Sequence, residues 1–437
     1  MKGFGFILTI VFLLFSHRGF SQDTLWISKS EAIQKASENN LQIKISEKEF
    51  ESSRADFRSS NALFLPSISA SHSALTTTNP LMAFGSKLNQ EILTSSDFNP
   101  ALLNNPDRID NYSTRIEVLQ PIINIDGWLE RKAASSKMEA YFLQNERSQE
   151  YLMLDVTKAY MELQLAYKNV EVVEKTLKAT QANLKLTEDY FKQGLLLKTD
   201  VLAMQVRRAE LTNQLYYANS NVSNASEYLA YLFNENNNGA IYRPAEALEQ
   251  NAIAQSTQDV YSDNRKDIQA MNKSLEAYKK MMQSSKMKFL PSINAFGTYE
   301  LYDSELFNTD ADGYLVGVSL NWNLFDGYRS IGNATKHKVE FKRKELELEQ
   351  YKDKTTLEFN KTNRRLKDAE NNVILLRLAL EQSQESYKIL ENRFSQGLEK
   401  TNDLLYSETQ VLKKELEYLQ SIFEYNFTKQ YLHFLTN

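Results

Sequence analysis

The residues that could do chemistry are few and scattered along the chain. The sequence has no cysteine, which excludes thiol catalysis, disulfides and metal–thiolate sites. Its four histidines are His17, His72, His337 and His433, and no two of them have the spacing that places two metal ligands on one helix. No glycine-rich phosphate loop or nucleophile elbow is present. The sequence therefore predicts a protein that is not an enzyme and that needs no metal or cofactor.

Two acidic residues stand just beyond glycine-leucine pairs. Asp200 follows the pair at residues 194–195, and Asp403 follows the pair at residues 397–398. Glycine supplies the left-handed backbone of a reversal between two helices. A carboxylate at the start of the returning helix accepts hydrogen bonds from free N–H groups and complements the helix dipole. Local helix capping is therefore the first interpretation of both acids.

The sequence elements that position these acids occur twice in the chain. Three motifs recur in the same order: Phe-Leu-Pro-Ser-Ile (64–68 and 289–293), Asp-Gly (126–127 and 326–327) and Gln-Gly-Leu (193–195 and 396–398). From the Asp-Gly glycine to the Gln-Gly-Leu glycine the distance is 67 residues in the first half and 70 in the second. A duplicated supersecondary unit is the economical interpretation.

The N-terminus is typical of a secretory signal peptide, with Lys2, an apolar stretch at residues 4–15 and small residues before the expected cleavage site. We expect the mature chain to begin at Gln22. The predicted organisation is a signal peptide (1–21), a first repeat (22–233), a linker at the midpoint (234–257) and a second repeat (258–437). The whole chain has 51 basic and 56 acidic residues, a net charge of −5, which argues against nucleic acid as a partner.

Four segments alternate in polarity as strands do, and they form one pair in each half. In the clearest of them, Val316, Val318 and Leu320 alternate with small or polar residues. The predicted strands are Ser67–Thr78, Ser113–Ile125, Ser292–Asp303 and Tyr314–Phe325. Each is long enough to cross a bilayer when tilted, although periodicity alone fits a half-buried sheet in a soluble protein equally well. Trp128 and Tyr328, just beyond the second strand of each pair, favour the membrane because aromatic residues form belts at its interfaces.

The rest of the chain has the composition and periodicity of helix. Residues 129–193 contain neither glycine nor proline and correspond to roughly 100 Å of helix. The predicted helices are Leu129–Gln193 and Arg329–Gln396, the returning helices Asp200–Phe233 and Asn402–Leu435, and the shorter Lys29–Leu63 and Val260–Phe289. Four strands cannot close a barrel, which needs about eight. The sequence therefore predicts an oligomer, and either two or three chains would supply enough strands.

In its signal peptide, duplicated strand pairs, Leu-Pro and Asp-Gly pairs and Gly-Leu tips, the chain resembles the TolC-type outer membrane efflux protein family over residues 22–437. The resemblance implies an α+β membrane protein and a homotrimer. Long helical hairpins would form a periplasmic α-barrel, and four strands per chain would contribute to a twelve-stranded outer-membrane β-barrel. The resemblance also implies a passive conduit in a tripartite efflux or type I secretion system, which works with a periplasmic adaptor and an inner-membrane pump.

The resemblance also implies roles for individual residues. The adaptor would contact the two hairpin tips, and three copies of Asp403, with Glu399 and Asp200 nearby, would line a cation-favouring periplasmic entrance. The tip residues are Gln193, Gly194, Leu195, Gln396, Gly397 and Leu398. The sequence departs from the family pattern at three places, because Glu399 replaces a bridging basic residue, Phe394 a tyrosine and Tyr406 a second acid. A gate closed by that bridge is therefore not expected, and Glu399 is predicted to add to the negative ring.

An alternative comes from another class of protein. Long helices of this composition also suit an exported coiled-coil scaffold or a surface adhesin without channel activity. Such a stalk needs no paired strands with one apolar and one polar face, so the strand pairs discriminate between the two interpretations.

Overall fold

The structure is a computed structural model that describes residues 24–236, 239–249 and 264–436. The predicted signal peptide lies outside the described residues, and so do residues 237–238 and 250–257 of the predicted linker. The described residues form two compact units. The helical unit takes its residues from 1–47, 145–266 and 353–437, and the sheet unit comprises 48–144 and 267–352. Both units draw on both halves of the sequence.

The first half begins with a short strand and two helices and ends in a long hairpin. Its elements are β1 Thr24–Ile27, α1 Lys29–Asn39, α2 Leu41–Ser59, β2 Ser67–Thr77, α3 Pro80–Asn89, α4 Pro100–Asn104, β3 Ile109–Ile123, α5 Ile125–Lys192 and α6 Lys198–Leu232. The second half repeats this order with shorter connections. Its elements are β4 Ile241–Pro244, α7 Lys266–Met287, β5 Ser292–Asp303, β6 Ala311–Asn321, α8 Arg329–Phe394 and α9 Thr401–Thr436.

The predicted α+β architecture of long helical hairpins and two strand pairs is confirmed. The four predicted strands pair in one antiparallel sheet of order β2-β3-β5-β6, so that β2 and β6 form its edges. In the helical unit, α5 and α6 bury an apolar cluster that includes Tyr160, Leu163, Leu229 and Phe233. A second cluster close to the hairpin tips joins α5 and α6 to α8 and α9.

The single helix predicted over residues 29–63 is two helices. Asn40 separates them, because its side-chain oxygen accepts hydrogen bonds from the backbone N–H groups of Gln42 and Ile43 and its side-chain nitrogen donates to the Leu232 carbonyl. The asparagine ends α1 and caps α2.

Two short strands were not predicted from the sequence. The strands β1 and β4 pair in parallel, with Thr24 opposite Ile241 and Ile27 opposite Pro244. Each has only four residues, too few for alternation to be recognised. This pairing connects the start of the described chain to the segment between the two halves.

The two Asp-Gly pairs do not have the same structure. Gly127 lies in the first turn of α5, and its N–H donates to the Asn124 side chain, which starts this helix four residues earlier than predicted. In the second half Gly327 and Tyr328 both have positive φ angles, and Asp326 accepts a hydrogen bond from the Ser330 N–H. Only the second pair makes a sharp turn between strand and helix.

Candidate functional site

The tips of the two long hairpins share one backbone geometry. Gly194 and Gly397 have φ angles of 76° and 72°. The N–H of Leu195 donates to the Tyr190 carbonyl, and the N–H of Leu398 donates to the Arg393 carbonyl, both at 2.9 Å. This is the Schellman motif, in which glycine adopts the left-handed conformation that ends a helix. The Gln-Gly-Leu motifs were correctly placed at the two reversals.

Both tips expose a leucine side chain. Leu195 is 65% exposed and Leu398 is 63% exposed, and the preceding glutamines Gln193 and Gln396 are exposed as well. The glycine before each leucine has open space where a Cβ would stand. The tips therefore present two matching surfaces, each with an apolar side chain beside a bare backbone.

Asp200 caps the returning helix of the first hairpin. Its carboxylate accepts a hydrogen bond from the Leu197 backbone N–H at 2.9 Å. The side chain is half-buried in this position. The local capping interpretation of this acid is confirmed.

Glu399 and Asp403 lie together at the second tip. The Glu399 carboxylate pairs with the Arg393 guanidinium at 2.9 Å, and it also accepts from the Lys400 backbone N–H. These hydrogen bonds, first that of Arg393 and then that of Lys400, lower the pKa of Glu399, with a smaller contribution from the Asp403 side chain. Asp403 is the third residue of α9 and is exposed. Glu399 is therefore ionised with a compensating cation, whereas Asp403 faces solvent.

The three residues that depart from the family pattern, Phe394, Glu399 and Tyr406, differ in their surroundings. Phe394 is buried in the apolar cluster at the tips and packs against Tyr190, with ring centroids 6.3 Å apart. Tyr406 is exposed. Phe394 is therefore a core residue of the tips, and Glu399 pairs with Arg393 of its own chain.

Sequence reasoning missed a buried polar network that joins the two hairpins. The Arg207 guanidinium on α6 lies 3.1 Å from the Glu408 carboxylate on α9, which also accepts a hydrogen bond from Thr180 on α5. Burial raises the pKa of Glu408, although its hydrogen bonds oppose the shift. Glu408 stands four residues from both Leu404 and Leu412, which are buried. A lone acid within an apolar stripe was the signal in the sequence.

A second link lies nearer the tips. The Tyr387 hydroxyl on α8 donates to Glu391 at 2.8 Å and accepts from the Asn183 side chain on α5 at 3.1 Å. Burial is the main cause that raises the pKa of Tyr387, and the Glu391 carboxylate adds to it. All four helices of the two hairpins are thus connected by buried or partly buried hydrogen bonds.

In the sheet unit, the four-stranded sheet has two different faces. The first face, here called the apolar face, carries exposed side chains such as Val316, Val318 and Leu320 on β6 and Ile68 on β2. Residues paired directly across antiparallel strands share a face, so the registers give the composition of both. The opposite face, here called the polar face, carries Ser69, Ser71 and Ser73 on β2, Arg115 and Glu117 on β3 and Glu300 on β5. Arg115 and Glu300 form an ion pair there.

Aromatic side chains stand near both ends of the apolar face. Tyr314 lies near the start of β6 and Trp322 just beyond its end, and both are exposed. The segment from Tyr314 to Trp322 is nine residues long, about the length with which a tilted strand crosses a bilayer. The predicted aromatic residues Trp128 and Tyr328 are exposed at the helix starts that follow β3 and β6. This pattern suits a sheet whose apolar face contacts lipid.

In the described ranges 24–236, 239–249 and 264–436, no group of three or more His, Asp or Glu side chains is placed to hold a metal ion. Over the same ranges, no helix is both long and apolar enough to span a membrane.

The family of the chain is established by comparison. A family model described as outer membrane efflux protein matches residues 32–235 and 260–427. The chain therefore belongs to the outer membrane efflux protein family. No curated protein matches its sequence significantly.

Solved structures share the fold across nearly the whole chain. The outer membrane protein VceC from Vibrio cholerae has a TM-score of 0.78 at 17% identity, covering 94% of this chain and 96% of that one. The CmeC outer membrane channel of Campylobacter jejuni gives 0.80 at 14% identity, with 93% and 85% covered. CusC gives 0.80 at 15% identity, with 94% and 92% covered.

Family membership confirms the predicted role as an outer-membrane efflux channel and the predicted location in the outer membrane. The alternative of a scaffold or adhesin without channel activity is not favoured. The paired strands with unlike faces, which a stalk does not need, are present in the fold.

Proposed function

We propose that three copies of this chain form a continuous passive conduit from the periplasm to the exterior. The observation that carries the proposal is the sheet, in which β2 and β6 each pair on one side only and the two faces differ in polarity. Open edges favour pairing with another chain, and a closed barrel removes them. Three chains would supply twelve strands, with the apolar face against lipid and the polar face lining the channel.

The proposed conduit assigns a place to each predicted segment. Residues 1–21 are removed as a signal peptide during export. Residues 22–233 and 258–437 are the two structural repeats, and residues 234–257 join them. The hairpins α5–α6 and α8–α9 surround the periplasmic part of the channel, so that each chain contributes two hairpins to a helical barrel.

The two hairpin tips are the proposed contact surface for a periplasmic adaptor, which connects the conduit to an inner-membrane pump. The exposed side chains of Leu195 and Leu398 support this assignment, because isolated apolar side chains beside bare glycine backbone offer a partner helix close approach. Replacing both leucines by aspartate is expected to abolish export while the channel itself stays folded. Export by the intact cell is the measurement, and unchanged export would remove the tips from the contact.

Asp403 is the proposed selectivity residue of the periplasmic entrance. In a trimer three exposed carboxylates would surround the axis and favour cations. Glu399 and Asp200 belong to the same entrance, but Arg393 compensates the charge of Glu399 and helix capping engages Asp200. Because the chain is a conduit, it catalyses no reaction and takes its energy from the pump. The proposal covers both efflux of small molecules and type I secretion of polypeptides.

Disulfide cross-linking between edge strands tests the assembly. The chain has no cysteine, so Leu315→Cys on β6 can be combined in turn with Ser69→Cys, Ser71→Cys or Ser73→Cys on β2. Within one chain these positions are at least about 14 Å apart, across three strand spacings, and cannot be bridged. Covalent trimers in one of the three registers are expected. Monomers alone in every register would overturn the barrel assignment.

A further inference from the structure

Helix α3 belongs to the long connection between β2 and β3. It lies against the polar face of the sheet, at the end where the β2–β3 and β5–β6 connections are found. It contacts β3 and β6, and the buried Gln90 just after it holds it in place. The Gln90 side-chain nitrogen donates to the Asn111 side chain at 2.8 Å and to the backbone carbonyls of Asp110 and Asp303, both at 3.0 Å. Asn111 is four residues from Arg115 on the same strand and so belongs to the polar face.

The side of α3 that faces the sheet is made of small residues. Ala83 and Ser86 are buried there, in line with Gln90. Ala311, which begins β6 and pairs with Tyr302 on the polar face, is also buried. Small side chains on both surfaces allow the helix to lie close to the strands.

The opposite side of α3 is an exposed apolar stripe formed by Leu81, Gly85 and Leu88. The spacing of these residues places them on one face of the helix, and the two leucines are 81% and 57% exposed. Nothing lies within 4 Å of where a Gly85 Cβ would be. A glycine inside a helix is less favourable than alanine, and it allows another helix to come close.

We propose that the apolar stripes of three copies meet on the channel axis and close the outer mouth of the conduit. This inference rests on the proposed trimer, in which the polar face lines the channel. A barrel of twelve strands tilted by about 40° has a radius of about 12 Å. A helix is about 10 Å across with its side chains, so α3 on the inner wall reaches the axis. The apolar stripe of each copy therefore packs against the stripes of the two neighbouring copies.

The apolar contact gives α3 the role of a lid rather than a fixed plug. It is held to its own sheet by hydrogen bonds through Gln90, while the contacts between copies are apolar and small. A hydrophobic constriction excludes water and ions until it is widened. The lid would therefore depend on apolar contacts, unlike the charged entrance proposed at the hairpin tips.

Cross-linking of the full-length trimer in detergent tests the meeting of the stripes. Leu88→Cys is expected to form covalent dimers on oxidation, since one cysteine per chain joins two of three copies. Leu102→Cys, an exposed leucine of α4 outside the stripe, is the matched control and is expected to stay monomeric. Monomers for Leu88→Cys in a complex whose mass equals three chains would overturn the lid and leave the conduit standing. A complex of any other size would instead overturn the proposed function.

Accessibility from outside the cell tests closure. Ser71→Cys places a thiol on the polar face below α3, and a bulky maleimide is the probe. Adding Leu81→Ser and Leu88→Ser is expected to raise its labelling rate about tenfold, because polar side chains abolish the hydrophobic constriction. Both leucines are exposed, so the chain is expected to fold normally. Asn308→Cys in the exposed β5–β6 connection must label equally in both backgrounds, and an unchanged Ser71→Cys rate would contradict the lid.

Discussion

The Arg207 guanidinium and the Glu408 carboxylate lie 3.1 Å apart and join α6 to α9 close to the hairpin tips. Their side chains are only 12% and 4% exposed. The second terminal nitrogen of Arg207 is buried without a hydrogen-bond partner among the described residues. Since ion pairs are costly to bury, we infer that the pair serves to fix the relative position of the two hairpins.

Removal of one partner of this pair is expected to destabilise the protein strongly. Arg207→Ala leaves Glu408 as a buried charge without its partner, which costs about 3 kcal/mol. Thermal loss of helical circular dichroism in detergent measures the effect as a lower midpoint temperature. Arg208→Ala, at the exposed neighbouring position, is the control and should change little. Equal effects of the two variants would contradict the buried pair.

The same carboxylate is expected to make stability depend on pH. Burial raises the pKa of Glu408 above its usual value of 4.5, so the folded state binds this proton more tightly than the unfolded state. The contribution of Glu408 to the free energy of unfolding therefore grows as the pH falls through the raised pKa towards 4.5. Glu408→Gln should flatten this part of the profile. Identical pH profiles for the two proteins would show that Glu408 does not titrate in that range.

For folding, the tip glycines are expected to matter through their left-handed backbone conformation. Gly397 has a positive φ angle and open space at the Cβ position, so Gly397→Ala should cost about 1 kcal/mol through backbone strain. Gly332 lies inside α8, also with open space, and Gly332→Ala should stabilise by up to about 1 kcal/mol. Thermal midpoints of the two variants should shift in opposite directions. A shift of the same sign would show that the reversal at residue 397 is not held in the left-handed conformation.

Ion selectivity tests the assignment of Asp403. Asp403→Asn is expected to lower the preference for cations, measured as a smaller reversal potential across a salt gradient in planar bilayers. Glu227→Gln, which removes an exposed acid far from the tips on α6, is the control and should leave the reversal potential unchanged. An unchanged reversal potential for Asp403→Asn would remove the proposed ring.

The long elements were predictable because their patterns extend over many residues. The sequence placed β5 at its observed bounds and the start of α8 at Arg329, and the recurrence of Gln-Gly-Leu located both reversals. The break at Asn40 was missed because it depends on a side chain that caps one helix while bonding to the distant Leu232 carbonyl. Helical periodicity continues through it.

The site was less predictable than the fold. The acid at position 399 was visible, but its pairing with Arg393 depends on the compact reversal between them. Glu408 was visible as an acid within an apolar stripe, whereas its partner Arg207 is 201 residues away in the chain. Charge compensation across two hairpins depends on how the helices pack, and local sequence patterns do not predict that packing.

The proposed channel is a trimer of this chain. The most direct measurement is the mass of the complex extracted from the outer membrane, followed by conductance of the same preparation in planar bilayers. We predict a mass of three mature chains and stable channels that prefer cations. A complex of another size, or a trimer that never conducts, would contradict the proposed trimeric channel.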